Sequence, residues 1–291
     1  IFGAPLAIEA LMAFFLESTL VGLFFFGWDR MSKNKHLAVT WLMALGTNLS
    51  ALWILVANGW MQFPVGSEFN VDTMRMELTN FAEVVFSPVA QVKFVHTVSA
   101  GYVTAAIFVL AISSWYLLKG RDIPFARRSF AIAAVFGLAS SLSVIILGDE
   151  SGYEMGDVQK VKLAAIEAEW HTEPPPAAFT LVGLPNQATE TTDYAIKIPA
   201  VMGLIATRSL DQPVTGLVDL KEQHRARMLN GREASSLMEQ IRSGDKSPQT
   251  RARFEEILDD LGYGLLLSVY AEDPMNPTEA ELQAAVDASI P

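Results

Sequence analysis

The first half of the chain contains four long runs of apolar residues separated by short polar links. Each run holds about 18 or more mostly apolar residues, the length that an α-helix needs to cross the hydrocarbon core of a bilayer. The pattern therefore predicts an all-α membrane protein with four transmembrane helices. These helices are expected at about 1–28, 37–61, 89–118 and 126–148.

Beyond residue 148 the pattern changes to short amphipathic segments in a polar background. Apolar residues recur at helical spacing in four stretches, and Thr278 is a plausible N-cap for the last of them. This region is therefore predicted to be mostly helical. The four stretches are 157–170, 217–229, 250–261 and 278–290.

The same region also contains signals that end helices. The segment 191–201 reads as a short strand, whereas proline and polar residues predict loops at 172–179 and 184–192. We expect two parts in the chain, a transmembrane segment at 1–148 and a polar region at 149–291.

The charges of the links predict the orientation of the helices. Basic links, DRMSKNKH and KGRDIPFARRS, follow the first and third helices, whereas the link at about 63–88 is acidic. Because cytoplasmic loops are enriched in Lys and Arg, the two basic links are expected in the cytoplasm. The acidic link and residues 149–291 are then expected on the outer side.

Composition excludes several kinds of site. The formal net charge is −11, and it is concentrated after residue 148, where the net charge is −12 against +1 before it. An acidic region of this kind argues against nucleic-acid binding, which needs a basic surface. The absence of cysteine excludes disulfides, thiolate haem ligation, iron–sulfur clusters and cysteine-type zinc sites.

Glu9 and Glu17 are the only charged residues of the first apolar run. An ionisable group at that depth is costly, so chains rarely carry one without a use. Eight residues of helix correspond to about 12 Å of rise and about 80° of rotation, which places both carboxyls on one broad face. This geometry favours a proton path or a buried ligand site, although a pair satisfied by polar neighbours on adjacent helices is the alternative.

Polar residues also occur inside the second and third helices. His96 is the only histidine predicted within the third, and a neutral imidazole in a bundle interior is a good haem ligand. A core histidine bound to a neighbouring helix is an equally good interpretation of this residue alone. In the second helix, Asn48, Ser50 and Asn58 either line a hydrated path or, more commonly, hydrogen-bond across helices.

Just past the fourth helix, charged residues gather in the stretch GDESGYEMGDVQKVKLAAIEAEW. Asp149, Glu150, Lys162 and Glu167 lie in it. Lys162 and Glu167 are five residues apart, which is not an ideal helical ion-pair spacing, so they could approach a ligand from two sides. On spacing alone, a solvated helix face is the favoured interpretation.

Four stretches closely resemble subunit I of the cytochrome bd-type quinol oxidases, and the similarity runs over the whole chain. They are GAPLAIEALMAFFLEST, TNLSALWILVANGWMQ, PVAQVKFVHTVSAGYV and LGDESGYEMGDVQKVKLAAIEAEW. The resemblance implies a bacterial respiratory enzyme that oxidises quinol at the periplasmic side and reduces dioxygen to water with protons from the cytoplasm. It also implies that the four helices belong to a larger bundle and that 149–291 is the periplasmic quinol loop.

The resemblance further implies roles for single residues. His96 resembles an axial ligand of the low-spin b haem, and Glu9 resembles the glutamate at the haem d iron. Glu17 resembles the glutamate of the proton path near the high-spin b haem. Three hydrophilic residues resemble parts of that path, and three others resemble the quinol-binding set. The former are Ser18, Ser50 and Asn58, and the latter are Lys162, Glu167 and Asp149.

The family pattern implies two b-type haems and one d-type haem without copper, with quinol as substrate. It implies a partner, subunit II, and small single-helix subunits, all in the bacterial inner membrane. The chain starts at Ile1 within a hydrophobic run, so we expect a fragment that lacks the family's first helices and its C-terminal helices. The remaining haem ligands would then lie outside this segment.

Two other functions compete with the oxidase. A proton-coupled transporter would use Glu9 and Glu17 as a relay and His96 as a pH-responsive gate, and it predicts inverted repeats or broken helices. A purely structural membrane subunit would use the same polar residues only to hold helices together.

Overall fold

The computed structural model describes residues 3–70, 73, 75–245 and 247–290. The chain divides into two compact units, each of which is described by itself. The membrane unit comprises Ile1–Asn70 and Arg75–Glu154, and the polar unit comprises Val71–Met74 and Met155–Pro291.

Long helices make up the membrane unit. Among the described residues, four stretches are long and apolar enough to cross a bilayer, at Gly3–Phe26, Lys33–Gln62, Phe81–Leu118 and Ile123–Val158. The expected all-α membrane fold is therefore confirmed. The helices are α1 (Gly3–Ile8), α2 (Phe15–Phe26), α3 (Lys33–Gln62), α4 (Phe81–Val85), α5 (Pro88–Leu118) and α6 (Ile123–Val158).

The apolar run at 1–28 predicted one regular α-helix, but the first span is interrupted. A π-helical segment, Glu9–Phe14, separates α1 from α2, and Ile1 and Phe2 lie outside the described residues. A π-helical turn inserts an extra residue into the hydrogen-bond ladder, and such turns are frequent at functional sites. Hydropathy reports only the apolar character of the run, so this interruption could not be predicted from it.

Small residues bring the helices of the membrane unit close together. Gly59 of α3 faces Ala90 of α5, where a Cβ on the glycine would lie only 2.7 Å from the alanine Cβ. Val56, Val84 and Ala90 form a buried cluster beside this contact. Close approach of backbones through small residues is the usual way in which membrane helices pack.

The acidic link between the second and third spans contains structure that the sequence pattern did not indicate. β1 (Ser67–Asn70) pairs antiparallel with β2 (Arg75–Leu78). The short helix α4 follows, and the side chain of Asn80 caps it by accepting from the backbone N–H groups of Ala82 and Glu83. The third span thus begins as two helices, since α5 starts afresh with Pro88 at its first turn.

Two predicted helix boundaries are wrong near the end of the last span. The helix expected to end at 148 continues to Val158, because the backbone hydrogen-bond ladder does not require apolar side chains. The helix expected at 157–170 is instead α7 (Lys160–Ile166). It is ended by Ala168, which has a left-handed φ of 53°.

A β-hairpin follows in the polar unit, formed by β3 (Phe179–Asn186) and β4 (Thr191–Ile198). The strand expected at 191–201 is confirmed over Thr191–Ile198. The loop predicted at 184–192 is longer than the observed one. β3 extends to Asn186 and β4 begins at Thr191, so only 187–190 connect the strands. Pro185 is tolerated since β3 belongs to a two-stranded sheet, in which each strand is an edge.

Helices form the rest of the polar unit. The helix expected at 217–229 extends to Arg242, and the one expected at 250–261 is split by a 3₁₀ turn, Leu258–Asp260. Thr278 caps the last helix as predicted, in a capping box with Glu281. The helices are α8 (Val201–Thr207), α9 (Leu217–Arg242), α10 (Pro248–Glu256), α11 (Leu261–Tyr270) and α12 (Glu279–Ala288).

Buried clusters stabilise the polar unit, and two of them hold most of its helices together. One lies among α7, the hairpin and α8, and the other joins α9, α11 and α12. The first consists of Leu163, Ala177, Met202, Ala206 and Val214. The second consists of Met228, Leu267, Ala271, Leu282, Ala285 and Val286.

Candidate functional site

Both glutamates of the first span are bound by hydroxyl groups of α3. Ser50 Oγ donates to Glu9 Oε1 at 2.8 Å, and Thr47 Oγ1 donates to Glu17 Oε1 at 3.2 Å. The two hydroxyl residues are three positions apart, so they lie on one face of α3, about one turn from each other. The structure thus gives each carboxyl a polar partner on the neighbouring helix. Thr47 was not predicted, because its role depends on helix register.

Glu9 is also the first residue of the π-helical segment. Ser50 binds the Glu9 carboxylate through its Oε1 atom. A local widening of the helix at a half-buried carboxyl is the kind of irregularity that accompanies function.

The other predicted path residues have different surroundings. Ser18 Oγ donates to the Phe14 carbonyl of its own helix at 2.5 Å. Asn58 Oδ1 accepts from Lys93 Nζ of α5 at 3.1 Å and from Gln62 at 3.0 Å. Ser18 is therefore bound within its helix, whereas Asn58 joins two helices.

His96 lies in α5 with one ring nitrogen unused. Its Nδ1 atom is buried and has no hydrogen-bond partner within the described residues. Gly148 of α6 lies beside the ring, where a Cβ would come within 3.6 Å of His96 Cε1. An imidazole that is not bound to a neighbouring helix through this nitrogen fits the haem-ligand interpretation better than the core-histidine one.

The predicted quinol residues lie in different parts of the chain. Asp149 is exposed on α6, in the membrane unit. Lys162 is exposed on α7, and Glu167 is half-buried directly after that helix, in the polar unit. Burial raises the pKa of Glu167 above that of a free carboxyl.

A buried carboxyl two residues further on was not singled out by sequence reasoning. Glu169 is only 3% exposed, and its Oε1 has no hydrogen-bond partner within the described residues. Burial, mainly, raises the pKa of Glu169 to about 7. In the sequence, EAEW reads as a solvated helix end, whereas in the structure residues of the later hairpin, such as Thr192 and Lys197, lie around this side chain.

A family model described as cytochrome bd terminal oxidase subunit I matches residues 1–254. The chain is 58% identical over 291 residues to cytochrome bd-II ubiquinol oxidase subunit 1 of Escherichia coli (strain K12), covering 100% of this chain and 57% of that protein. It is 37% identical over 224 residues to cytochrome bd ubiquinol oxidase subunit 1 of Bacillus subtilis (strain 168), covering 77% of this chain and 47% of that protein.

A solved structure shares the fold. The bd oxidase from Geobacillus thermodenitrificans matches with a TM-score of 0.65 at 23% identity, over 100% of this chain and 66% of that chain. At this identity the likeness concerns the fold alone. The chain spans about half the length of the curated relatives it matches.

Proposed function

The chain belongs to the cytochrome bd terminal oxidase subunit I family, and we propose that it is part of a membrane enzyme that oxidises quinol and reduces dioxygen to water. One observation carries this proposal: two half-buried carboxyls in the first span are each bound by a hydroxyl of α3. Reduction of dioxygen to water consumes protons, and a protein that does this within a membrane needs protonatable groups there.

His96 and Glu9 are the residues that would hold haem iron. His96 offers a buried ring nitrogen, Nδ1, that no described residue binds, and we assign His96 to the low-spin b haem. Glu9 carries a carboxylate whose Oε1 accepts from Ser50, and we assign this carboxylate to haem d. The haems, two of b type and one of d type without copper, supply electron transfer and the binding of dioxygen. The protein groups hold and orient them and deliver protons.

Protons reach the oxygen side through hydrophilic residues of the first and second spans. Glu17, bound to Thr47, holds a proton that passes toward Glu9, bound to Ser50. We include Ser18 and Asn58 in this path as the resemblance implies. Asn58 is anchored to Lys93 and so joins α3 to α5 at one end of it.

Replacing Glu17 by glutamine is expected to slow dioxygen reduction by about 10²-fold, a typical loss for a proton-transfer group. The amide oxygen can still accept the Thr47 hydrogen bond, but the amide cannot carry a proton at neutral pH. Oxygen consumption of the purified complex with excess quinol measures the effect. Thr104→Val is the control, because the Thr104 hydroxyl donates to the Ala100 carbonyl of its own helix. Normal turnover of Glu17→Gln would remove Glu17 from the path.

Quinol is oxidised at Lys162, Glu167 and Asp149 in our proposal. Quinol loses two protons with its two electrons, so its site needs a proton acceptor and a group that stabilises developing negative charge. Glu167 is suited to accept a proton, because burial raises the pKa of its carboxyl above its usual range. The exposed ammonium of Lys162 can stabilise negative charge on the quinol oxygen.

Replacing Glu167 by alanine is expected to lower kcat/KM for quinol by about 10²-fold while the haem spectrum remains unchanged. Quinol titrations and difference spectra of the same preparation measure the two quantities. Glu255→Ala, which removes an exposed carboxyl from α10, serves as the control. Loss of all haem in Glu167→Ala would instead make its role structural.

The resemblance and the link charges suggest the setting of the enzyme. We place it in the bacterial inner membrane, with the basic links in the cytoplasm and residues 149–291 in the periplasm. Subunit II is the expected partner, together with small single-helix subunits, lipid and quinol, and no nucleic acid.

A difference spectrum of the full-length complex tests the whole proposal. We expect b- and d-type haem bands on reduction by quinol. A complex without these bands would overturn the oxidase and favour the proton-coupled transporter or the structural subunit.

A further inference from the structure

Glu169 is the most deeply buried carboxyl that the quinol site, as proposed above, does not use. Its side chain is 3% exposed, and its Oε1 has no hydrogen-bond partner within the described residues. An unpaired carboxylate is unfavourable in such a place, so the group is either neutral or held for a purpose. Its backbone is fixed on both sides, since its N–H donates to Ala164 and its carbonyl accepts from Leu217.

The Glu169 side chain lines a small open cavity of about 170 Å³ beneath the β3–β4 hairpin. Polar and ionisable groups of four segments surround this cavity. A salt bridge between Lys197 and Glu173 crosses it, and Lys221, from α9, holds Glu190 at 3.1 Å. The other polar residues that line it are His171, Thr180, Thr191 and Thr192.

The charges around the cavity adjust the proton affinity of Glu169 in opposite directions. Burial is the main cause that raises the pKa of Glu169, Lys197 lowers it, and Glu173 and Glu167 raise it, with a net result of about 7. The carboxyl is therefore close to half protonated near neutral pH, which suits a group that both takes up and releases protons.

We propose that Glu169 is a proton-relay residue that receives the proton taken from quinol by Glu167 and releases it to solvent through the cavity under the β3–β4 hairpin. The proposal rests on the function proposed above. Glu167 lies two residues before Glu169, with only Ala168 between them, and the charge of Glu167 raises the pKa of Glu169. Glu169 does not touch quinol in this scheme.

The proton transfers balance, provided that an electron acceptor is present. For each proton, an O–H bond of quinol breaks and one forms on the Glu167 carboxylate, and the accompanying electron would pass to the b-type haem that His96 would hold. The proton then moves to Glu169, which regenerates the Glu167 carboxylate, and finally to water in the cavity. Among the described residues no three His, Asp or Glu side chains are grouped to hold a metal ion, so a proton fits this cavity better than a metal.

The pH profile of quinol oxidation tests the proposal in the full complex. Because the relay acts from the carboxylate form, the rate of quinol oxidation should rise with pH near neutrality. This rising part of the pH profile is its limb. Glu169→Gln should remove this limb and lower the rate at neutral pH by up to about 10²-fold, the scale for a general acid–base group. Glu169→Asp should restore the limb in part, which a merely structural role would not predict.

Two neighbouring substitutions should move the limb in opposite directions. Lys197→Met removes the cation that lowers the pKa of Glu169, so the limb should move to higher pH. Glu173→Gln removes an anion that raises this pKa, so the limb should move to lower pH. An infrared titration should show a carboxyl band that disappears near neutral pH in the parent complex and is absent from Glu169→Gln.

The outcomes separate this inference from the function on which it rests. If the parent complex shows no haem-linked quinol oxidation, the proposed function fails. If the parent is active and Glu169→Gln retains both the limb and the carboxyl band, the relay is overturned and the oxidase stands. Loss of haem from Glu169→Gln together with an unchanged limb in Lys197→Met and Glu173→Gln would also overturn it.

Discussion

Replacing His96 by alanine is expected to abolish the low-spin b-type haem band and, with it, quinol-dependent oxygen consumption. The imidazole is the one group of α5 with a buried ring nitrogen that no described residue binds, so the protein offers this atom to something else. Alanine removes the only ligand that this segment supplies to that haem in our proposal. Electrons from quinol would then have no entry point, whatever the state of the oxygen site.

A histidine of the second span provides the matched control. His36 Nε2 is hydrogen-bonded to the Phe24 carbonyl at 2.9 Å, and its ring contacts Phe24 and Trp28. His36→Gln should therefore leave all haem bands in place. In His96→Ala the d-type band should persist while the low-spin b band is lost, and a low-spin band of normal intensity would assign this ligand to another residue.

The four spans could be predicted because bilayer crossing depends on the length and polarity of a segment, which are properties of the sequence itself. The same reasoning identified Glu9, Glu17 and His96, since an ionisable side chain stands out in an apolar run. It could not identify Thr47, because a hydroxyl becomes a partner of Glu17 only through the register of α3 against the first span. The π-helical segment could not be predicted either, because the hydropathy of the run does not report its hydrogen-bond pattern.

Local pattern was a weaker guide in the polar unit. α7 ends at Ile166 because Ala168 adopts a left-handed φ. Alanine rarely adopts this conformation, so the sequence did not indicate that the helix ends there. The burial of Glu169 depends on a hairpin that begins at Phe179, ten residues further along the chain. Sequence reasoning could therefore place Lys162 and Glu167 near each other but could not find the carboxyl behind them.

Replacing Gly264 by alanine is expected to destabilise the polar unit by about 3 kcal/mol, at the upper end of overpacking effects. Gly264 of α11 and Gly231 of α9 are buried where the two helices approach most closely. A Cβ on Gly264 would overlap the Gly231 carbonyl oxygen and lie 2.6 Å from Ser235 Oγ. Because the main obstacle is backbone rather than a flexible side chain, α11 must shift to accommodate it, and the cluster around Met228 and Leu267 must open.

Gly262 in the same helix provides a control, because its replacement by alanine should change stability in the opposite direction. It is exposed, and a Cβ there would meet no atom within 4 Å, so Gly262→Ala should stabilise α11 by up to about 1 kcal/mol through helix propensity. Thermal unfolding and limited proteolysis of the complex should show Gly264→Ala cleaved sooner and Gly262→Ala no sooner than the parent. Equal behaviour of the two variants would mean that α9 and α11 do not meet at these glycines.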